Sequence, residues 1–95
     1  MIQKQFYDLY RTLKEETKFL SFHDTDNPHF KNLVALGDDI IPLLLNNLWD
    51  SWWAIVALHY LSKGDLTIAE EDFGRFDLIC QAWYNWGIHK GYINQ

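Results

Sequence analysis

Apolar residues recur at helical spacing almost from the start of the chain. Ile2, Phe6, Leu9, Tyr10, Leu13 and Leu20 fall on one face over about residues 2–20, while Lys4, Asp8, Arg11, Lys14, Glu15 and Lys18 fall mostly elsewhere. No Gly or Pro interrupts the stretch, so it predicts a first amphipathic helix with a solvated charged face. The next residues, 21–28, are polar and end in a helix-start signal, Asn27 as N-cap and Pro28 at the first helical position. A second helix over about 28–36 turns Phe30, Leu33 and Val34 inward, and Gly37 closes it, since glycine takes a positive φ at little cost.

The stretch from Gly37 to Trp49 is apolar on almost every side. A helix of that kind belongs at the centre of a domain, with the other segments packed round it. Asp38 is its expected cap, the helix covers about 39–49, and Pro42 sits in its first turn, where the missing N–H removes no intrahelical bond. Asp50 or Ser51 then caps a fourth helix over about 51–62, and Gly64 stops it. Residues 64–72 form a loop or a short helical turn. A fifth helix follows over about 73–90, with Phe76, Ile79, Cys80, Trp83 and Trp86 or Gly87 on its buried face and Gly91 at its end. Tyr92 and Ile93 are placed to pack back on it. No stretch alternates with period two between turn signals, so the expected fold is all-α: a single compact five-helix bundle over residues 1–95.

Composition narrows the function classes. Ninety-five residues that are 48% hydrophobic can bury a core without metals or disulfides. The net charge of −5 is concentrated in residues 37–79, where Asp38, Asp39, Asp50, Asp65, Glu70, Glu71, Asp72 and Asp77 face only Lys63 and Arg75. That balance argues against direct nucleic-acid binding, which needs a basic stripe, and points to a basic protein partner. Acids at Asp8, Glu15 and Glu16 dilute the basic residues of the first helix in the same sense. A lone cysteine, Cys80, excludes an internal disulfide and a thiolate zinc site, and it suits a reducing cytoplasm. No apolar run reaches membrane-spanning length, and Met1–Gln5 lacks an apolar signal core.

Two features carry candidate function. The first is aromatic. Five Trp residues are many for so short a chain, and a small domain hides only some of them. Trp52 and Trp53 point about 100° apart on a helix, so they cannot share one neighbour. Trp53 is assigned to the core with Ala54 and Leu58, and Trp49 or Trp52 to the surface. The expected partner-binding set is Trp49, Asp50 and Trp52 with Glu70, Glu71 and Asp72, on a partner protein or a second copy of the chain. Helix capping is the plainer explanation of Glu70–Asp72.

The second feature is His23-Asp24-Thr25-Asp26, an imidazole and two carboxylates that offer the alternative of a small metal-dependent hydrolase. The stronger expectation there is a solvated loop, with no metal, no cofactor and no catalytic residue. The four histidines include no pair at helical i, i+3 or i+4 spacing, and His59 reads as a partly buried side chain. Cys80 lies on an apolar face and reads as core.

The sequence Phe30-x-x-Leu33, then Gly37, then Ile41-Pro42-x-Leu44-Leu45-x-x-Leu48 resembles one helical hairpin of a HEAT-like repeat. The resemblance implies a central hairpin whose faces must be covered by the flanking helices. Asn27-Pro28-x-Phe30, Leu36-Gly37, Pro42-Leu43, Trp53-Ala54, Leu58 and Trp83-x-x-Trp86-Gly87-x-x-x-Gly91-Tyr92 are also similar to a group of small bacterial and phage-associated all-α proteins, over residues 27–92. That likeness implies an antitoxin-, adaptor- or inhibitor-like role in toxin–antitoxin or phage-defence settings, and brings no catalytic residue with it.

Overall fold

The computed structural model describes residues 1–19, 25–68, 70–72 and 74–93, with Glu70 by its backbone alone. These hold α1 (Ile2–Thr17), α2 (Pro28–Val34), α3 (Ile41–Asn46), α4 (Trp52–Leu61) and α5 (Phe76–Lys90), and no strand. Short 3-10 turns at Asp38–Ile40 and Glu70–Asp72 precede α3 and α5. The all-α class expected from the pattern is the class observed.

Most helix ends follow from local chemistry. The Asn27 side chain accepts the backbone N–H groups of His29 and Phe30, at 2.8 and 3.4 Å, with Pro28 beside it, and this starts α2. The Ser51 hydroxyl accepts the Trp53 N–H at 3.0 Å and starts α4. Gly91, in the left-handed region at φ 87°, ends α5, and the N–H groups of Tyr92 and Ile93 fold back to the Gly87 carbonyl.

Other boundaries differ from the sequence expectation. Asp38 does not cap the third helix. It opens a 3-10 turn whose N-cap is Gly37, with φ 84° and ψ −165°, a conformation nearly confined to glycine. Asp38 and Asp39 still lie in the first turn, where their charge suits the unpaired N–H groups. Helix α3 ends at Asn46 and not at 49. The Asn47 side-chain amide donates to the Leu43 carbonyl at 2.8 Å, while its backbone N–H moves to Leu44. Helix α5 starts at Phe76 and not at 73, because Gly74 has φ 89°, outside the helical region. Helix α1 ends at Thr17, ahead of the expected 20, and Leu20 lies outside the described residues.

The core draws on every helix: Phe6, Tyr10 and Leu13 of α1, Phe30 and Leu33 of α2, Leu44 and Leu45 of α3, Ala54 and Leu58 of α4, and Ile79 and Trp83 of α5. The principal neighbours of α2 are α1 and α4, and those of α3 are α4 and α5. At the α3–α5 crossing, a Cβ on Gly87 would lie 2.6 Å from Leu45 Cδ1, so glycine lets the two helices approach closely.

One stripe of α1 holds the α3–α4 corner. Tyr10, Lys14 and Thr17 follow i, i+4, i+7 spacing and so share a face. The Tyr10 hydroxyl donates to Ser51 Oγ at 3.3 Å, and Lys14 Nζ meets Asp50 Oδ2 at 2.6 Å. Thr17 Oγ1 accepts the Trp53 indole N–H at 2.8 Å while donating to the Leu13 carbonyl at 2.6 Å. The Lys14–Asp50 pair is exposed, so it is worth at most about 1 kcal/mol and acts mainly to orient the corner. The Trp53–Thr17 bond is buried, so breaking it removes a hydrogen bond at a site where water does not readily replace it.

Thr17→Val is therefore expected to destabilise the fold by about 1–3 kcal/mol in urea denaturation. Adding Thr17→Val to a Trp53→Phe background should cost clearly less than in the wild type. Additive costs would show that the bond contributes nothing.

Candidate interaction surface

The corner between α3 and α4 decides which tryptophans are hidden. With its indole held by α1, Trp53 is only 3% exposed and packs on Phe30 at a ring-centroid distance of 5.4 Å. Trp52, one position earlier on the helix, is turned to the opposite neighbour, α5, where its ring meets Phe76 edge-on at 5.0 Å. Leu48 is fully buried, and its carbonyl accepts the Cys80 Sγ–H at 3.2 Å, which seats the corner on the first half of α5. Trp49 lies on the other side of Leu48 and pairs with Tyr84, centroids 6.2 Å apart.

Two aromatic pairs thus flank the Leu48–Cys80 contact, Trp52 with Phe76 and Trp49 with Tyr84. Trp49 remains 48% exposed and Trp52 36%. Each ring already rests against a partner on α5, which lowers the side-chain entropy to be lost on binding. Beside Trp52 lies a shallow groove of about 280 Å³, lined by Ile55, Val56, Ile68 and Trp83 among others.

The acidic residues of the expected set are placed unevenly. Asp50 turns back to Lys14, so its charge is largely matched within the chain. Glu71 is exposed and Asp72 half-buried in the 3-10 turn before Phe76; the Arg75 N–H closes this turn on the Asp72 carbonyl at 3.0 Å. The Glu70 side chain lies outside the described residues. Asp77, beside Phe76, is exposed and was not in the expected set. Arg75 is the cation nearest to these acids along the chain.

The remaining tryptophans belong to the fold. Trp83 is 1% exposed. Trp86 donates its indole N–H to Asp65 Oδ2 at 2.6 Å and stacks on Tyr92 at 5.6 Å, and Lys90 approaches the same carboxylate oxygen at 3.2 Å. The Trp86 hydrogen bond, helped by the Lys90 contacts, holds the Asp65 carboxyl below its usual pKa. This cluster ties the turn after α4 to the end of α5. Burial pushes the Tyr10 hydroxyl above its usual value, so it stays a neutral donor to Ser51.

His23 and Asp24 of the alternative metal site lie outside the described residues, and Asp26 is exposed. Among the described residues no three His, Cys, Asp or Glu side chains gather to hold a metal ion. His59, expected to be partly buried, is exposed and lines the apolar groove. No described helix is long and apolar enough to cross a membrane.

Sequence reasoning missed Tyr84 and the polar grip of Tyr10 and Thr17. The spacing about Cys80 carried a signal for Tyr84. Positions 76 and 84 fall on either side of residue 80, each about 40° round the helix from it. No comparable signal marks Thr17, whose role depends on a contact 36 residues away.

Burial, with a smaller contribution from the nearby Asp77, raises the Cys80 thiol to about 11. At pH 8 it is therefore a thiol, the form that does not attack. The folded protein should react with a disulfide reagent far more slowly than the urea-unfolded chain. Equal rates would show that the corner does not seal Cys80.

No protein family, curated protein or solved structure matches this chain, so the site stands on its geometry.

Proposed function

We propose that this chain is a small protein-interaction module, adaptor-, antitoxin- or inhibitor-like, that presents an acidic and aromatic surface to a basic protein partner. The observation that carries this reading is the pair of half-exposed tryptophans, Trp49 and Trp52, held on either side of the Leu48–Cys80 contact. Large aromatic side chains that are exposed yet already positioned are the usual anchors of protein interfaces. Glu71, Asp72 and Asp77 lie along the chain next to Phe76 and give that end of the surface its negative charge.

Charge also selects the partner. A second copy of a chain with net charge −5 would bring like charges together, whereas a basic surface gains from long-range attraction. Recognition, and no catalytic step, is the role given to these side chains.

Affinity purification with the wild-type chain and with Trp49→Ala/Trp52→Ala tests this. A basic protein should be enriched by the wild type, and loss of anchors of this kind should weaken its capture by about thirtyfold or more. Circular dichroism should show both baits folded. Undiminished capture by the double variant would remove the tryptophans from the interface, and a partner without basic character would contradict the charge argument.

A further inference from the structure

The two aromatic pairs have a spacing as well as an exposure. Phe76 and Tyr84 are eight residues apart on one helix, which separates them by about 12 Å along the axis. Trp52 sits over the first and Trp49 over the second, so the surface offers two aromatic platforms about 12 Å apart. The rings of each pair are inclined to one another, at 61° and 59°, and neither pair is stacked flat. Inclined rings leave part of a π-face open beside the edge of a neighbour, a geometry that receives a flat cationic group.

The chain's own cations near aromatic rings lie elsewhere. Among the described residues, Lys14 stands over Tyr10 at 4.6 Å and Lys18 over Phe19 at 5.3 Å, both on the α1 side. Lys14 is further committed to Asp50. Arg75 is the nearest cation along the chain to Phe76, and Glu71, Asp72 and Asp77 outnumber it there. The Trp52–Phe76 platform therefore stands next to net negative charge, and among the described residues no cation of the chain is stacked on either platform.

We infer that Trp49 with Tyr84, and Trp52 with Phe76, receive two arginine guanidinium groups of the basic partner. This rests on the interaction reading above and specifies the chemistry by which the partner is held. Arginine suits these platforms better than lysine. Its guanidinium is planar and weakly hydrated and stacks on aromatic faces, whereas a lysine ammonium is a compact, strongly hydrated point charge. Two arginines about 12 Å apart fit one extended segment or one helical face. The carboxylates beside Phe76 attract the cation at that platform, and the rings supply the discrimination at both.

Fluorescein-labelled octa-arginine and octa-lysine peptides, titrated with the full chain and followed by anisotropy, test this. Octa-arginine should bind more tightly than octa-lysine. Trp49→Leu and Trp52→Leu should each weaken octa-arginine binding about two- to fivefold, the range expected for an exposed cation–π contact. Octa-lysine binding should change less. Trp49→Tyr keeps an aromatic face and should retain most of the octa-arginine affinity, which separates loss of the ring from loss of the fold. Equal affinities for the two peptides, with no effect of the leucine variants, would overturn the guanidinium sites while leaving an acidic binding surface standing. Binding of neither peptide would overturn both the guanidinium sites and the choice of a basic partner.

Discussion

The placement of Trp53 depends on one hydrogen bond, from its indole N–H to the buried hydroxyl of Thr17. An indole is large and its N–H needs a partner once out of water, so it enters a core only where an acceptor waits. Helix α1 provides that acceptor on the same stripe that contacts Ser51 through Tyr10 and Asp50 through Lys14. The stripe fixes the corner between α3 and α4 in position and in rotation. Successive helix positions diverge by about 100°, so drawing Trp53 toward α1 sends Trp52 away from it.

The outer surface follows from that rotation. Leu48 fills the contact with α5 and passes its carbonyl to Cys80, and the tryptophans on either side of it are left half in water. Phe76 and Tyr84 each cover part of one ring, and the rest of both tryptophan side chains stays partly exposed. Exposed tryptophan carries a standing cost in water, which an interface would relieve. The acidic residues before and at the start of α5 give the Trp52 end its sign, and Asp50, matched by Lys14, contributes little to it.

Much of the fold was legible in the sequence because it rests on local rules. Asn27 with Pro28, Ser51 and Gly91 each mark a helix end through their own hydrogen bonds or φ, and each stands where the pattern put it. Boundaries set by side chains acting outside their usual roles were not legible. Asn47 ends α3 through its own amide, and Gly74 delays α5 past the acidic turn. The divergence of Trp52 and Trp53 followed from helix geometry alone, and the choice of Trp53 as the inner one followed from its apolar neighbours Ala54 and Leu58. The pairing of Asp50 with Lys14, the use of Thr17 as an acceptor and the part played by Tyr84 all depend on contacts between residues more than 30 positions apart, which no local pattern encodes.

The central claim is that the corner divides the tryptophans, hiding Trp53 and presenting Trp49 and Trp52. Nuclear magnetic resonance of the indole N–H groups in the presence of a soluble paramagnetic probe measures this division directly. The signals of Trp49 and Trp52 should broaden strongly, and those of Trp53 and Trp83 should be spared. Protection of Trp49 and Trp52 to the level of Trp53 would contradict the account, because the tryptophan surface proposed to meet the partner would then be absent.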